Sequence, residues 1–334
     1  MFHNDYRVVV NAALNQATHH IPLYEHIISP LIMERIRGNS FAALADGDYN
    51  DKLEFFRHYC GFFRDMGYDT VSWECTTGAV MPGSGALGRH QAGVIKTRND
   101  FDGYPWDEIP DIYFERYRDY FRALGETLPP GMKGIGGVGN GVFECVQDIT
   151  GFQELCYIKA DDEELYRDLF AGVGTMLYRI WERFLREFGD LFCVCRFGDD
   201  LGYRSNTLLS AADVREHVIP RYRPIIDLIH TAGKPFLLHS CGCIFNVMDD
   251  LIAAGIDAKH SNEDAIAPYS RWIDDYGRRI GNFGGLDTDV LCPSSSVDVA
   301  AYTTAVYRLL EAKGGGAAIG SGNSIPTYVD PARY

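Results

Sequence analysis

The sequence contains little positive charge for its size. Its 334 residues include 31 Lys and Arg against 46 Asp and Glu, which gives a formal net charge of -15, and no run of basic residues occurs. A nucleic-acid backbone or an anionic membrane surface would be repelled by this excess of negative charge. We therefore expect neither nucleic acid nor a membrane as a partner.

Long hydrophobic runs are also absent. No window approaches the roughly 18 uninterrupted apolar residues that a membrane-spanning helix needs. The first residues, MFHNDYRVVVNAALNQATHH, contain the early acidic residue Asp5 and no apolar core behind a basic start, so they do not resemble a secretory signal. On these grounds we expect a cytoplasmic protein.

The cysteines do not indicate a disulfide framework. There are nine, an odd number, and none lies in a CxxC pair. In a long chain of cytoplasmic type this favours reduced thiols, most of them small buried side chains. Cys193 and Cys195, in LFCVCRF, alternate along a predicted strand, so we expect them to share one face and to pack in the core.

The composition, with 46% hydrophobic and 23% charged residues, is that of a large globular protein. Helical periodicity predicts helices over residues 6–16, 51–67, 112–124, 161–188 and 210–233. Pro220 and Pro224 lie inside the last of these, and we expect them to bend it.

Seven short apolar runs predict buried strands: DTVSW, KGIGGVG, LFCVCRF, KPFLLHS, GIDAKH, RIGNFGG and GAAIGSG. From about residue 130 strands and helices alternate, which requires parallel strands joined by helical crossovers. Polar residues follow the C-terminal ends of successive strands: Asp199, Asp200, His239, Cys241, Glu263, Asp287 and Asn323. Polar groups that converge at this end are typical of a (β/α)8 barrel, whereas an open doubly wound sheet would gather them at one switch point.

We therefore predict an α/β fold, a (β/α)8 TIM barrel in a single domain over residues 1–334. Residues 1–65 would form an N-terminal helical extension and residues 66–334 the barrel. The loop TTGAVMPGSGALGRHQAG is rich in glycine, but no helix follows at the spacing of a P-loop or a dinucleotide site. We expect it to be a flexible, lid-like loop.

Several segments, in this order along the chain, resemble the uroporphyrinogen decarboxylase superfamily: DDLGYRSNTLLSAADVREHVIPRYRPIIDLIHTAGKPFLLH, HSCG, AGIDAKHSNED, GRRIGNFGGLDTDVL and GGGAAIGSGNSIP. The similarity runs from about Gly134 to Pro326. It is greatest to the branch that includes the corrinoid-dependent methyltransferases. The resemblance implies a TIM barrel with its site at the C-terminal mouth.

In the methyltransferase branch a His-x-Cys element and a distant Cys bind zinc, which activates a thiol acceptor or a methyl donor. The resemblance assigns His239 and Cys241 to the first element. The distant Cys would fall in IGSGNSIP, where this sequence has Asn323, so the third ligand is left open. The decarboxylases carry an RQAGRY-type segment near the N-terminus, and here that region offers only ERIRGNS.

The spacing of His239 and Cys241 suits chelation, because residues two apart at a strand end can both point toward the barrel axis. For the third ligand Glu263 is preferred to Cys243, which begins a helix and would need a turn to reach back. The alternative is a hydrogen-bonded buried histidine beside an inert thiol. A redox pair is not indicated, because CxC is not CxxC.

Asp199, Asp200 and Asp287 are candidate catalytic residues, because they follow strands at the predicted barrel mouth. They could hold a polar group of the substrate or orient His239. Solvated or capping carboxylates are the alternative, and Asp287 in particular could cap a helix that begins near Ser296.

The expected function is that of an enzyme, a corrinoid-dependent methyltransferase. It would move a methyl group between a small methylated substrate or acceptor and a cobalamin cofactor on a partner corrinoid protein, with zinc as a Lewis acid. One alternative is a cofactor-free tetrapyrrole decarboxylase of the uroporphyrinogen type. Another is a barrel that binds a corrinoid or a small ligand without catalysis.

Overall fold

The computed structural model describes residues 3–88 and 91–334; Met1 and Phe2 lie outside them, as do Arg89 and His90 of the glycine-rich loop. Seven parallel strands form one sheet whose neighbours follow the chain order. The strands are β1 (Thr70–Thr76), β2 (Lys133–Gly139), β3 (Phe192–Gly198), β4 (Phe236–His239), β5 (Ala258–His260), β6 (Gly281–Leu286) and β7 (Ala317–Ser321). Each coincides with one of the seven predicted apolar runs.

In the described part of the chain three helices precede β1, and the remaining helices connect successive strands. The helices are α1 (Tyr6–Ala13), α2 (Pro30–Arg37), α3 (Tyr49–Asp65), α4 (Arg98–Asp102), α5 (Ile109–Thr127), α6 (Val142–Thr150), α7 (Phe152–Asp161), α8 (Glu163–Phe188), α9 (Ala211–Asp213), α10 (Ile219–Thr231), α11 (Met248–Ala254), α12 (Tyr269–Tyr276) and α13 (Val299–Lys313). The α8 helix begins where its sequence predicts, because the Asp162 side chain accepts from Leu165 N at the first turn. No helix in the described part of the chain is long and apolar enough to cross a membrane.

The two prolines expected to bend the helix over residues 210–233 coincide with a change in its geometry. The chain passes from α9 through a π-helical turn at Val214–Val218 before α10 begins. Pro220 lies in the first turn of α10, where a missing N–H costs little, and Pro224 lies inside the helix.

The gap between β7 and β1 is filled by an extended segment rather than by an eighth strand. Leu23 forms an isolated parallel bridge to Ile319, which lies in β7, and Ile28 forms one to Ile325, just beyond β7. On the other side, Ser72 Oγ of β1 donates to the His26 carbonyl at 2.5 Å. The described residues therefore form a TIM-barrel-like fold with seven strands, and the predicted count of eight is not confirmed.

The predicted N-terminal extension contains the expected helices, but it is also part of the barrel. Val9, Ala12 and Ala13 of α1 pack into the interior cluster with side chains from β2 to β7. This helix closes the N-terminal end of the barrel, and the extended segment that follows runs beside β7. The predicted extension thus contacts the strands directly, and the boundary between residues 65 and 66 stays a prediction.

Cys193 and Cys195 are both buried, as expected, but they do not share a face. Cys193 belongs to the interior cluster and Cys195 to the larger cluster between the sheet and the helices. The register between β2 and β3 shifts between Gly134 and Ile135, which indicates a β-bulge at this point. A bulge interrupts the two-residue alternation on which the prediction rested.

Candidate metal centre and adjoining cavity

Three potential metal ligands meet at the C-terminal mouth of the barrel. His239 ends β4, Cys241 follows it by two residues, and Asp200 follows β3. His239 Nε2 lies 3.4 Å from Cys241 Sγ and 3.8 Å from Asp200 Oδ1, and the three donor atoms lie within 4.8 Å of one another. Cys241 N donates to Asp200 Oδ1 at 2.8 Å, which holds the carboxylate beside the thiol.

A chain of hydrogen bonds fixes the tautomer of His239. His260 Nε2 lies 2.9 Å from the Ser321 carbonyl, which can only accept, so this nitrogen carries the proton. Burial lowers the pKa of His260 to about 3, so the ring is neutral and its Nδ1 is an acceptor. His239 Nδ1, 2.7 Å away, must then donate. This leaves the lone pair of His239 Nε2 directed at Cys241 and Asp200.

The electrostatic environment keeps His239 neutral. Burial lowers its pKa well below the usual value, and the nearby His260 and Arg196 add to this effect. Burial also raises the pKa of the Cys241 thiol, and Asp200 raises it further. A neutral imidazole is the form that binds metal, and a cation at this point would favour the thiolate of Cys241.

Two further side chains hold the Cys241 sulfur. Ser261 Oγ and Asn323 Nδ2 each lie 3.4 Å from Cys241 Sγ. Ser261 has φ of +94°, a conformation that is costly for a residue other than glycine. This strained backbone brings the Ser261 hydroxyl to the sulfur. Asn323, at the position where a cysteine was expected, is a hydrogen-bond donor to Cys241 instead.

His239 also belongs to a buried group of three histidines. Its ring stacks on His26, with centroids 3.8 Å apart and planes 5° from parallel, and it bonds His260 as described above. The ligand atoms of the three rings lie within 4.8 Å of one another. Within residues 3–88 and 91–334, His26 Nδ1 has no hydrogen-bond partner. The structure thus offers two overlapping ligand groups that share His239.

Asp199 and Asp200 are adjacent but have different surroundings. Asp199 is fully buried and accepts from Phe143 N at 2.9 Å, Glu144 N at 2.8 Å and Tyr222 Oη at 2.5 Å. Burial raises its pKa to about 6, although these three donors act in the opposite direction. Its contacts are those of a cap at the N-terminus of α6, whereas Asp200 faces His239 and Cys241.

Glu263 and Asp287 lie at the mouth but outside the group of three. Glu263 Oε1 accepts from Gly242 N at 3.3 Å. Asp287 accepts from Asp264 N and Asp289 N, and it caps the short 3-10 turn at Thr288–Leu291. The helix expected near Ser296 begins instead at Val299 with Asp298 as its cap, so the proposed capping role of Asp287 there is wrong.

A cavity of about 340 Å³ opens beside these residues. Its walls come from the loops that follow β5, β6 and β7, and they include Asn262, Glu263, Asp287, Asp289, Asn323 and Tyr328. Asn323 connects it to the metal-ligand group through Cys241. The cavity is therefore the space next to the candidate metal centre in which a small molecule could bind.

Beneath the site a buried ion pair crosses the barrel interior. Arg196 is fully buried, and its Nε and Nη2 donate to Glu74 Oε2 at 3.0 and 2.6 Å. Its Nη1 donates to Tyr24 Oη and Ser72 Oγ at 2.9 and 2.8 Å. Burial alone would lower the pKa of Arg196, but Tyr24 and Glu74 raise it overall, so the guanidinium stays charged.

Four features of the site were not predicted from the sequence: His26, His260, Glu74 and the pairing of Arg196. His260 could have been found, because it ends GIDAKH in the same way that His239 ends KPFLLH. His26 carried no such signal, because it lies in the region predicted as a helical extension. Its position depends on the extended segment beside β7.

Comparisons with known proteins agree with this fold. The family model described as uroporphyrinogen decarboxylase (URO-D) matches residues 119–333. A solved structure described as a methyltransferase from Methanosarcina mazei is similar with a TM-score of 0.69 and 14% identity, over 97% of this chain and 94% of that chain. At such identity the likeness is one of fold.

Two other solved structures match over most of their length with TM-scores of 0.44 and 11% identity. The match to an AP endonuclease of family 2 from Brucella melitensis covers 84% of this chain and 90% of that chain. The match to PbGH5A, a glycoside hydrolase family 5 enzyme from Prevotella bryantii B14, covers 83% of this chain and 81% of that chain. No curated protein matches the sequence.

Proposed function

The chain belongs to the uroporphyrinogen decarboxylase (URO-D) family, and we propose that it is a zinc-dependent methyltransferase within it. It would move a methyl group between a small methylated substrate or acceptor and a corrinoid carried by a partner protein. The observation that carries this proposal is the group formed by His239 Nε2, Cys241 Sγ and Asp200 Oδ1. The fold likeness to a methyltransferase supports it.

The donor set fits zinc. Nitrogen, sulfur and oxygen are its usual protein ligands, and three protein ligands leave one position for a substrate. The anionic Cys241 and Asp200 would balance the charge of a divalent ion. Asp200 would then be the third ligand that the sequence left open at Asn323, whereas Glu263 lies outside this group. Zinc bound here would act as a Lewis acid on the heteroatom that carries the methyl group.

The chain's own residues would hold this site in one arrangement. The Ser321 carbonyl and His260 keep the His239 Nε2 lone pair directed outward. Asn323 and Ser261 direct hydrogen-bond donors at the Cys241 sulfur and so limit its rotation. Mutation of an outer hydrogen-bond partner of this kind commonly weakens metal binding by about 10- to 100-fold.

A decarboxylase of the uroporphyrinogen type remains the second candidate because of the family match. The cavity at the mouth gives it little support. Its walls contain three carboxylates and no Lys or Arg among the residues that line it. A tetrapyrrole that carries several carboxylates would be repelled there rather than bound.

Elemental analysis of the purified protein tests the proposal. We expect one zinc per chain, lost in His239→Ala and in Cys241→Ser, and methyl transfer between a methylated donor and free cob(I)alamin that requires the metal. His58→Ala, a half-buried histidine outside the metal-ligand groups, is the matched control. A metal-free protein that decarboxylates a porphyrinogen would contradict the proposal, and ligand binding without methyl transfer would favour a non-catalytic barrel.

A further inference from the structure

Lys259 differs from the other lysines because its ammonium group is buried. Lys259 is 3% exposed, whereas every other lysine of the chain is half-buried or exposed. Within residues 3–88 and 91–334 no carboxylate lies within 4.0 Å of Lys259 Nζ. Because buried charges are usually paired, an ammonium group at this position without a carboxylate partner requires another role in the structure.

Two contacts hold this ammonium group outside the barrel interior. Ala258 packs in the interior cluster, so the next residue of β5, Lys259, faces the surrounding helices. Its Nζ lies 3.7 Å from the centre of the Trp272 ring of α12, and the face of an indole ring attracts a cation. The same Nζ donates to the Ser261 carbonyl, in the loop that follows β5. The lysine therefore reaches along its own strand to the barrel mouth.

The Trp272 ring also links Lys259 to the loop that contains Cys241. It stacks on Phe245, with ring centroids 4.3 Å apart and planes 24° from parallel. Phe245 follows Cys241 by four residues. Lys259 thus contacts the loop after β5 directly and the loop after β4 through one aromatic ring.

The Ser261 carbonyl belongs to a turn that needs support. Ser261 has φ of +94°, which is costly for a residue other than glycine. On one side of the turn, the next residue is fixed because Asn262 N donates to the Gly322 carbonyl at 3.1 Å. Lys259 binds the Ser261 carbonyl on the other side. The turn held in this way keeps the Ser261 hydroxyl 3.4 Å from Cys241 Sγ.

The charges that act on Lys259 belong to the site. Burial lowers its pKa to about 7, whereas Cys241, Glu263 and Asp200 act in the opposite direction. Burial raises the pKa of the Cys241 thiol, and Lys259 acts against this increase. The ammonium group is thus close enough to interact with two of the three proposed metal ligands.

We infer that Lys259 is a positioning residue of the metal centre, which holds the strained turn at Ser261 so that the Ser261 hydroxyl donates to the Cys241 sulfur. The inference rests on the proposed function, because this hydrogen bond has a chemical effect when the sulfur binds a metal. A donor to the sulfur withdraws electron density from the bond between metal and thiolate. A lysine that does not touch the metal would thereby adjust the reactivity of the centre.

The cobalt(II)-loaded protein tests this inference, because its thiolate-to-cobalt charge-transfer band reports on the Cys241 sulfur. Lys259→Met keeps a side chain of similar length but removes the donor to the Ser261 carbonyl. We expect the band to move to longer wavelength, because the sulfur electrons are less stabilised, and zinc affinity to fall by about tenfold. Ser261→Ala removes the same hydrogen bond directly and should shift the band in the same direction by a similar amount.

A double variant tests the route of the effect. Lys259→Met added to Ser261→Ala should move the band no further and change zinc affinity by less than about twofold, because the hydroxyl that Lys259 positions is already absent. Lys313→Met is the matched control. Lys313 Nζ also donates to loop carbonyls, those of Gly315 and Gly316, but this loop precedes β7 at the other end of the barrel. The control should lower stability and leave the band unchanged.

A milder variant covers the case in which Lys259→Met does not fold. Trp272→Phe keeps an aromatic ring that attracts the ammonium group less strongly, so it should shift the band in the same direction by a smaller amount. It should add no shift to that of Ser261→Ala.

The outcomes separate the two claims. If cobalt binds at His239 and the folded variants of Lys259 and Trp272 leave the band unchanged, the inference is overturned while the metal centre stands. The same holds if Lys259→Met shifts the band equally with and without the Ser261 hydroxyl, because Lys259 then acts through its charge. A protein that binds no cobalt at His239 overturns the proposed function and this inference with it.

Discussion

The two halves of the barrel mouth carry similar residue types but use them differently. On the side of β1 to β3, Glu74 and Arg196 pair with each other beneath the mouth, and Asp199 is bound by three donors. At the ends of β4 to β7, His239 presents a lone pair, and the walls of the cavity beside it include three carboxylates. In the first half the polar side chains bind one another or the backbone, whereas the arrangement of the second half fits a ligand.

Asp199 and Asp200 mark the boundary between these halves. One carboxylate is fully buried and satisfied, and the other has a side chain that is 44% exposed and lies 3.8 Å from His239 Nε2. Neighbouring acidic residues at a barrel mouth are therefore not equivalent. The groups that indicate a site here are those whose bonding capacity is not met by the fold.

The largest expected effect is a loss of folding stability on the side of β1 to β3. Arg196→Met should lower the free energy of unfolding by about 3–5 kcal/mol, because it leaves the buried Glu74 carboxylate without its counter-charge. Glu74 is only 7% exposed, so water cannot replace the guanidinium. Urea denaturation of the variant measures this loss.

A double variant checks the cause. Arg196→Met together with Glu74→Leu removes both charges and should recover most of the stability lost in the single variant. If the double variant is no more stable than Arg196→Met, the loss comes from packing rather than from the unpaired carboxylate.

The adjacent aspartates provide the next prediction. Asp199→Asn should cost about 1.5–3 kcal/mol of folding stability, because an amide replaces one oxygen that accepts from Phe143, Glu144 or Tyr222. Asp200→Asn should cost less than about 0.5 kcal/mol, because its side chain is partly solvated. Zinc affinity should change in the opposite order, with the larger loss in Asp200→Asn. Equal effects of both variants on both quantities would remove the distinction between the two halves.

The two histidines that contact His239 should also differ. His260→Phe should weaken zinc binding by about 10- to 100-fold, because a phenyl ring cannot accept from His239 Nδ1 and the tautomer is no longer fixed. His26→Phe keeps the stacked ring and should change zinc affinity by no more than about twofold. Competition with a chromophoric chelator measures both. A large loss in His26→Phe would show that the three-histidine group holds the metal instead.

The smallest effect concerns a buried acid below the site. The Ser321 hydroxyl lies beside Glu25 Oε2 and 2.5 Å from the Asn323 carbonyl. The Ser321 hydroxyl and Ser321 N both donate to the Glu25 carboxyl group. Burial nevertheless raises the pKa of Glu25 from 4.5 to about 8, although these donors act in the opposite direction.

In this pH range the folded protein keeps a proton on Glu25 that the unfolded chain releases, and this difference sets the sign of the pH dependence of stability. Between about pH 4.5 and 8 stability should fall as pH rises, by at most about 1.4 kcal/mol per pH unit from Glu25. Glu25→Gln should flatten this slope and stabilise the protein at pH 8, as measured by urea denaturation between pH 5 and 8. The exposed Glu311→Gln serves as the control, and a slope unchanged in Glu25→Gln would contradict the assignment.

Much of the fold was predictable because its signals are local. The seven apolar runs became the seven strands, and the helices over 112–124 and 161–188 became α5 and α8. The expected eighth strand is not confirmed, because the described segment between β7 and β1 is extended and forms only isolated bridges. The prediction that Cys193 and Cys195 share a face is wrong, because a bulge interrupts the alternation of the strand. Such a bulge has no clear sequence signature.

The candidate site was predictable only in part. His239 and Cys241 meet because they are two residues apart at one strand end, and their use as metal ligands stays a prediction. The proximity of Asp200 depends on Gly198 of β3 pairing with His239 of β4. The roles expected for Glu263 and Asp287 remain predictions as well, with both residues placed at the cavity.

The sequence alone determined the alternation of strands and helices and the His-x-Cys element, because periodicity and short spacing need no distant partner. The tertiary structure decided what surrounds that element. Parallel pairing places His260 level with His239, and the N-terminal segment brings His26 onto the same ring. These residues are far apart along the chain, and only the closing of the barrel makes them neighbours.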